Sequence, residues 1–151
     1  MGALPLRPAT PEDADAIAAL VQAAYAKWVP IIGRKPRPME ADYQQAVREN
    51  IFALLEEEGR IVALIELSPA ADHLLIVNVA VSEAAQGRGI GSALLAHAED
   101  EARKRGLPEM RLYTNALMAA NRALYERRGY TTYLEEPFPG GTAIHMRKAL
   151  A

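Results

Sequence analysis

Apolar residues recur along this chain at two spacings, and each spacing predicts an element. Ile17, Val21, Ala24, Tyr25 and Trp28 fall on one face of a helix. Thr10 is placed to cap its start, with Pro11 at the first helical position and acids in the first turn. A short strand at 3–7, ALPLR, precedes it, and the Pro- and Gly-broken stretch VPIIGRKPRPM behind it reads as a loop. A second helix is expected from about Glu40 to Glu57. GRIVALIELS and HLLIVNVAVS then read as strands, and the turn signals in PAAD between them favour an antiparallel pair. The second is apolar nearly throughout, as in a strand covered on both faces, which places it near the middle of a sheet.

The helical period returns at Ile90, Leu94, Ala98 and Ala102, giving a helix from about Gly89 to Arg105 that stops at Gly106, with Pro108 beyond. EMRLYT is the next strand, so the segment between is a strand-helix-strand crossover, which joins parallel neighbours in a right-handed sense. A helix from about Ala119 to Arg128 is closed by Gly129. YTTYLE and TAIHMRKAL, separated by EPFPGG, form a terminal antiparallel pair that could also pair across a homodimer. The pattern predicts one domain over 1–151, a mixed α/β sheet with helices on its faces.

Composition narrows the partners. The formal net charge of −2 shows no basic excess, which argues against a nucleic-acid or membrane-surface protein. With no cysteine, a disulfide framework, a thiol nucleophile and thiolate metal sites are excluded. The N-terminus lacks the basic start and continuous apolar core of a signal peptide, and no apolar run approaches a membrane span, so a cytoplasmic protein is expected. His73, His97 and His145 show no ligand spacing, and no metal site is expected. Arg103, Lys104 and Arg105, like Arg127 and Arg128, read as solvated charges at helix C-termini.

The informative stretch is VAVSEAAQGRGIGSALLAHAE, where a strand passes through glycines 87, 89 and 91 into a helix. The first amides of a helix have no intrahelical partner and carry partial positive charge, so a phosphate is a natural guest. A P-loop is excluded, because Gly91-Ser92 lacks the lysine. A dinucleotide fingerprint is nearly met by Gly87, Gly89 and Ser92, but the next strand ends Thr114-Asn115 without an acid, and the turn does not lie in the first strand-helix unit. A plain tight turn would need fewer glycines.

Gln86-x-x-Gly89-x-Gly91 resembles the acyl-CoA signature Q/R-x-x-G-x-G/A of the GNAT superfamily of N-acetyltransferases. The likeness covers essentially the whole chain. VNVAV before the loop, SALLAHAEDEARKRG after it, the N-x-x-x-Y-x-x-x-G-Y spacing from Asn121 to Tyr130, and the closing HMRKAL fall in that family's order. The resemblance implies a mostly antiparallel sheet with one splayed parallel pair, helices on both faces, and acetyl-CoA as cofactor. It implies that the pyrophosphate sits on the backbone of Gly87, Arg88, Gly89, Ile90, Gly91 and Ser92 beside Gln86, with an added contact from the Arg88 side chain. The pantetheine arm is expected along Val79, Ala80 and Val81, with Asn115 and Asn121 also on the cofactor.

Asn121 and Tyr125 share a helix face. By resemblance, the Tyr125 hydroxyl reaches the thioester sulfur and protonates the thiolate as a neutral amine attacks the acetyl carbonyl, in direct transfer rather than through an acyl-enzyme. Tyr125 also suits a half-buried helix aromatic, and Asn121 a polar cap. Glu66, a carboxylate inside IVALIELS, is the candidate base, acting through water; the alternative is an edge-strand residue facing solvent. Related sequences often carry a glutamate where this chain has Val77. The acceptor side is expected at Tyr25, Trp28, Arg34, Tyr43 and Asn78, although Tyr25 and Trp28 also suit ordinary packing. The acceptor itself stays open among small amines, amino acids, antibiotic-like compounds and protein amines, and two other functions stay open as well: a non-catalytic acyl-CoA sensor and a dinucleotide binder.

Overall fold

Among the described residues, seven strands form one sheet in the order β1-β2-β3-β4-β5-β7-β6. They are β1 (Leu6–Pro8), β2 (Ile51–Glu57), β3 (Arg60–Pro69), β4 (Leu74–Val81), β5 (Glu109–Asn115), β6 (Thr131–Phe138) and β7 (Gly141–Ala149). Every pair is antiparallel except β4–β5, which the crossover helix α4 (Ile90–Lys104) makes parallel. The remaining helices are α1 (Ala14–Tyr25), the single turn α2 (Val29–Ile32), α3 (Tyr43–Glu49) and α5 (Ala119–Arg127). This computed structural model describes residues 4–150, so the strand expected at 3–7 begins at Ala3, outside the described residues.

Three expectations fail. The segment 40–57 is not one helix: α3 ends at Glu49, Asn50 is extended, and β2 follows. Leucine and glutamate favour a helix locally, but Phe52, Ala53, Leu54 and Leu55 are all buried, and only a strand between β1 and β3 covers both of their faces. The stretch VPIIGRKPRPM is likewise not wholly irregular, since α2 extends the helical run until Gly33 ends it in the left-handed region. That run, Pro11–Ile32, is long and apolar enough by composition to cross a membrane, contrary to the expectation from the apolar runs. Its alanines raise the average; its larger side chains Ile17, Leu20, Val21, Tyr25 and Trp28 pack on the sheet as one stripe.

The sheet separates two cores. On one face, α4 and Tyr125 of α5 pack on Ala53, Leu55, Ile65, Leu67 and Met110. On the other, α1 and α3 pack on Phe52, Leu54, Leu64 and Ala80. Alternate residues of β2 serve opposite cores, as the pleat requires. In β4 the alternation breaks: Leu74 and Ile76 belong to the α4 core, whereas Ala80 belongs to the α1 core. The cause is a bulge. Leu67 pairs with Ile76 and Glu66 with Asn78, leaving Val77 without a partner on β3. The extra residue turns Asn78 toward the α1 face, beside Glu66.

The parallel pair is short. Leu74–Ile76 face Met110–Leu112, and beyond Ile76 the two strands have no further pairs. Ser82 donates to the Val62 carbonyl at 2.8 Å, which fixes the hydrogen-bonding phase of β3 against β4. Val79 and Val81, lying at the intervening phase, direct their N–H and C=O groups away from β3 into the opened side.

Candidate active site

Two cavities flank this splay and meet at Tyr125. The smaller, about 350 Å³, runs from Val79, Ala80 and Val81 to the turn Gln86–Ser92, with Asn121 and Leu124 on its far wall. Gly87 and Gly89 take φ of 79° and 78°, which disfavours a side chain at either. Among the described residues no side chain caps the start of α4, so its first amides face the groove unpartnered. A Cβ on Gly87 would meet nothing within 4 Å, leaving the backbone open to a ligand. Gly91 has a different use: a Cβ there would lie 3.2 Å from Leu124 Cδ2, so its bareness lets α5 approach α4. An open strand edge leading to bare helix amides fits an extended amide-bearing arm with a pyrophosphate, which is the form of CoA.

The larger cavity, about 580 Å³, lies on the α1 face over β4, β5 and β7. Glu66 stands on its wall, 4% exposed on an interior strand rather than solvent-facing on an edge. Asn50 Nδ2 donates to its carboxylate at 2.7 Å. Burial raises the Glu66 pKa, while hydrogen bonds from Asn50 and Asn78 oppose the rise. The Tyr25 hydroxyl donates to Asn78 Oδ1 at 2.7 Å and also lies 3.1 Å from the Val79 carbonyl. Asn78 Nδ2 in turn donates to the Tyr43 hydroxyl at 3.1 Å, and Tyr43 donates to the Pro38 carbonyl at 2.6 Å. Desolvation keeps both phenols neutral, pushing each well above its ordinary range. These bonds satisfy both ends of the Asn78 side-chain amide, which the bulge turns inward.

Tyr25, Val79, Asn121 and Tyr125 line both cavities. Tyr125 comes from the α4 side and packs edge-on against Tyr130, with centroids 6.2 Å apart. Burial alone pushes its phenol up to about 12, so at neutral pH it holds a proton.

The sequence-predicted residues divide between the cavities. Val79, Ala80, Val81, Gln86, Gly87, Gly89, Ile90, Gly91, Ser92, Asn121 and Tyr125 line the glycine groove, and Tyr25, Arg34, Tyr43, Glu66 and Asn78 line the larger cavity. Three side chains stand elsewhere than expected. Trp28 lines the glycine groove, because the helical run carries it one turn past Tyr25. Asn115 lines the larger cavity, where its Oδ1 accepts from the Leu117 amide at 2.9 Å. The Arg88 guanidinium points to Glu57, bonding both carboxylate oxygens at 2.9 and 2.6 Å.

Other groups escaped the sequence. Lys27 and Arg127 line the glycine groove as its cations, Arg127 being the exposed last residue of α5, the helix-end charge its position predicts. Arg128 is not simply solvated, since it donates to the buried Glu99 at 2.8 Å. Asn50 went unseen because its place between α3 and β2 lay inside an expected helix.

The pattern of the Acetyltransferase (GNAT) family matches residues 17–130. The ribosomal protein bS18-alanine N-acetyltransferase of Escherichia coli strain K12 is 37% identical over 76 residues, covering 50% of this chain and 51% of that protein. The chain thus spans about half the length of that curated relative. The S-alkylcysteine N-acetyltransferase of Bacillus subtilis is 29% identical over 164 residues, covering 95% and 88%. Among solved structures, the PaiA N-acetyltransferase of Thermoplasma acidophilum, in complex with coenzyme A, superposes with a TM-score of 0.77 at 17% identity, covering 96% and 98%.

Proposed function

This chain belongs to the GNAT acetyltransferase family, and we propose from its site that it is an acetyl-CoA-dependent N-acetyltransferase working by direct transfer to a primary amine. One observation carries the reading: Tyr125 stands where a groove shaped for CoA opens into a cavity holding a buried carboxylate. Acetyl-CoA supplies the acetyl group as a thioester. The α4 amides and the groove cations Lys27 and Arg127 hold its phosphates, and the open edge of β4 at Val79 and Val81 aligns its arm.

Glu66 takes the ammonium proton of the acceptor through water, which frees the nitrogen lone pair. Burial suits it to this, since a carboxylate with a raised pKa is a stronger base. As the new C–N bond forms and the C–S bond breaks, Tyr125 gives its phenolic proton to the sulfur, and the second proton that the nitrogen sheds on becoming an amide passes through water to the phenolate and restores it. Tyr25 and Tyr43 stay neutral and fix Asn78, which keeps the bulge and the open edge in register.

Acetyl-CoA binding is tested by thermal shift. A hundredfold excess over Kd stabilises the native state by about 2.7 kcal/mol, and the absence of any shift at saturation overturns the reading. Thiol release on adding amines then distinguishes an enzyme from a non-catalytic acyl-CoA sensor.

A further inference from the structure

Three cations, Arg34, Lys35 and Arg37, stand together on one wall of the larger cavity, on the segment between α2 and α3. Among the described residues none of the three enters an ion pair, whereas Arg7, Arg88, Arg111 and Arg128 all do. Their charge is therefore not spent within the fold. Arg34 is held in place: its guanidinium carbon lies 4.9 Å from the centre of the Phe138 ring. A Cβ on Gly140 would lie 3.1 Å from that guanidinium, so the β6–β7 turn closes tightly around it. A guanidinium stacked by its face keeps its N–H edge available, and that edge matches a planar carboxylate through two parallel hydrogen bonds.

The cavity's acids lie differently. Glu66 is buried in the sheet, while the three cations are exposed at the rim. Glu136 is occupied by His145, 3.1 Å away, and Glu40 is exposed on the cationic segment itself. The cavity thus carries a negative floor and a mainly positive rim within about 580 Å³, the size of a small-molecule site.

We propose that the acceptor is a small zwitterionic amine, a free amino acid, whose carboxylate is bound by the Arg34 guanidinium while its amino group faces Glu66. This rests on the acetyl-transfer reading above. A peptide N-terminus fits less well, because its first carbonyl is an amide and presents no charge to the rim.

The test compares amino acids with their carboxamides, which keep the amine and lose the negative charge. Thiol release from acetyl-CoA is measured with methionine, S-methylcysteine and phenylalanine, each as acid and as amide, for the wild type, Arg34→Ala and Arg34→Lys. The folded state of each variant is checked by its acetyl-CoA thermal shift. At least one free acid is expected to exceed its amide in kcat/KM by about 10- to 100-fold, the range for one charge-assisted bidentate contact. Arg34→Ala should raise KM for the acid by a similar factor and affect the amide far less, and Arg34→Lys should recover only part of the loss. Equal use of acid and amide, an equal Arg34→Ala loss on both, or acetylation of a peptide N-terminus in preference to every free acid overturns the proposal and leaves acetyl transfer standing. If the wild type binds no acetyl-CoA, the transfer reading falls and the proposal with it.

Discussion

Glu66 and Asn78 stand opposite each other across β3 and β4, and the next pair in the ladder skips Val77. This one extra residue decides what the sheet offers to the larger cavity. With regular pairing, Asn78 would follow Leu74 and Ile76 toward α4; the bulge turns it instead to Tyr25 and Tyr43 on the other face. Val77, the residue left out, itself lines the cavity but brings no carboxylate, so Glu66 is the acid that the two strands supply there.

Replacing Glu66 with Gln should lower kcat/KM by about 100-fold or more at neutral pH. Stability should respond in the opposite direction. Burial raises the folded-state pKa of Glu66 above its unfolded value. The folded chain therefore keeps this proton longer, and the wild type loses stability as pH climbs from the ordinary carboxylate range through the raised pKa. Melting temperatures measured from about pH 4 to pH 8 should show Glu66→Gln gaining on the wild type as pH rises. A constant difference across that range would contradict a buried, titrating Glu66.

Tyr125→Phe should reduce kcat by about 100- to 10,000-fold, the usual range for a lost general acid. Acetyl-CoA affinity, measured by calorimetry, should change little, because the ring and its packing on Tyr130 remain. Since burial pushes the phenol up to about 12, its deprotonation should cause no fall in wild-type activity below about pH 10.

Gly87→Ala separates backbone conformation from packing. The new Cβ meets nothing within 4 Å, but φ is 79°. The cost should therefore be about 1–2 kcal/mol of backbone strain, read from urea unfolding. A weaker acetyl-CoA thermal shift should accompany it, because the methyl group occupies the side open to the ligand.

Glu99 tests a relationship away from the chemistry. Its carboxylate, 2% exposed on α4, accepts from Arg128 at 2.8 Å, Lys148 at 3.1 Å and Tyr130 at 3.1 Å, tying α4 to the end of α5 and to β7. Glu99→Ala leaves those donors without their shared acceptor and should cost about 3 kcal/mol in unfolding free energy. Glu99→Gln, which keeps the acceptor oxygen, should cost less.

Much of the framework is local in origin and so was legible along the chain. The stripe Ile90, Leu94, Ala98 and Ala102 marks α4, the glycines mark its entry, and the spacing of Asn121 and Tyr125 places both on one face of α5. The strand β2 was not legible, because IFALLEE is a good helix former that becomes a strand only when β1 and β3 flank it. Trp28 and Asn115 exchanged cavities for a similar reason: a residue's element can be read from its neighbours, but the side of the splay it faces cannot.

The sequence by itself determined the order of the elements, the glycine turn and the residue types available for phosphate binding and proton transfer, since each follows from short-range periodicity and backbone chemistry. Only the tertiary structure decided where those groups meet. The Val77 bulge depends on the register of β4 against β3, the splay on how soon β4 leaves β5, and the Arg34–Phe138 contact on two segments 104 residues apart coming together. Such relationships are set by burial and hydrogen bonding across the sheet, which no short window of sequence contains.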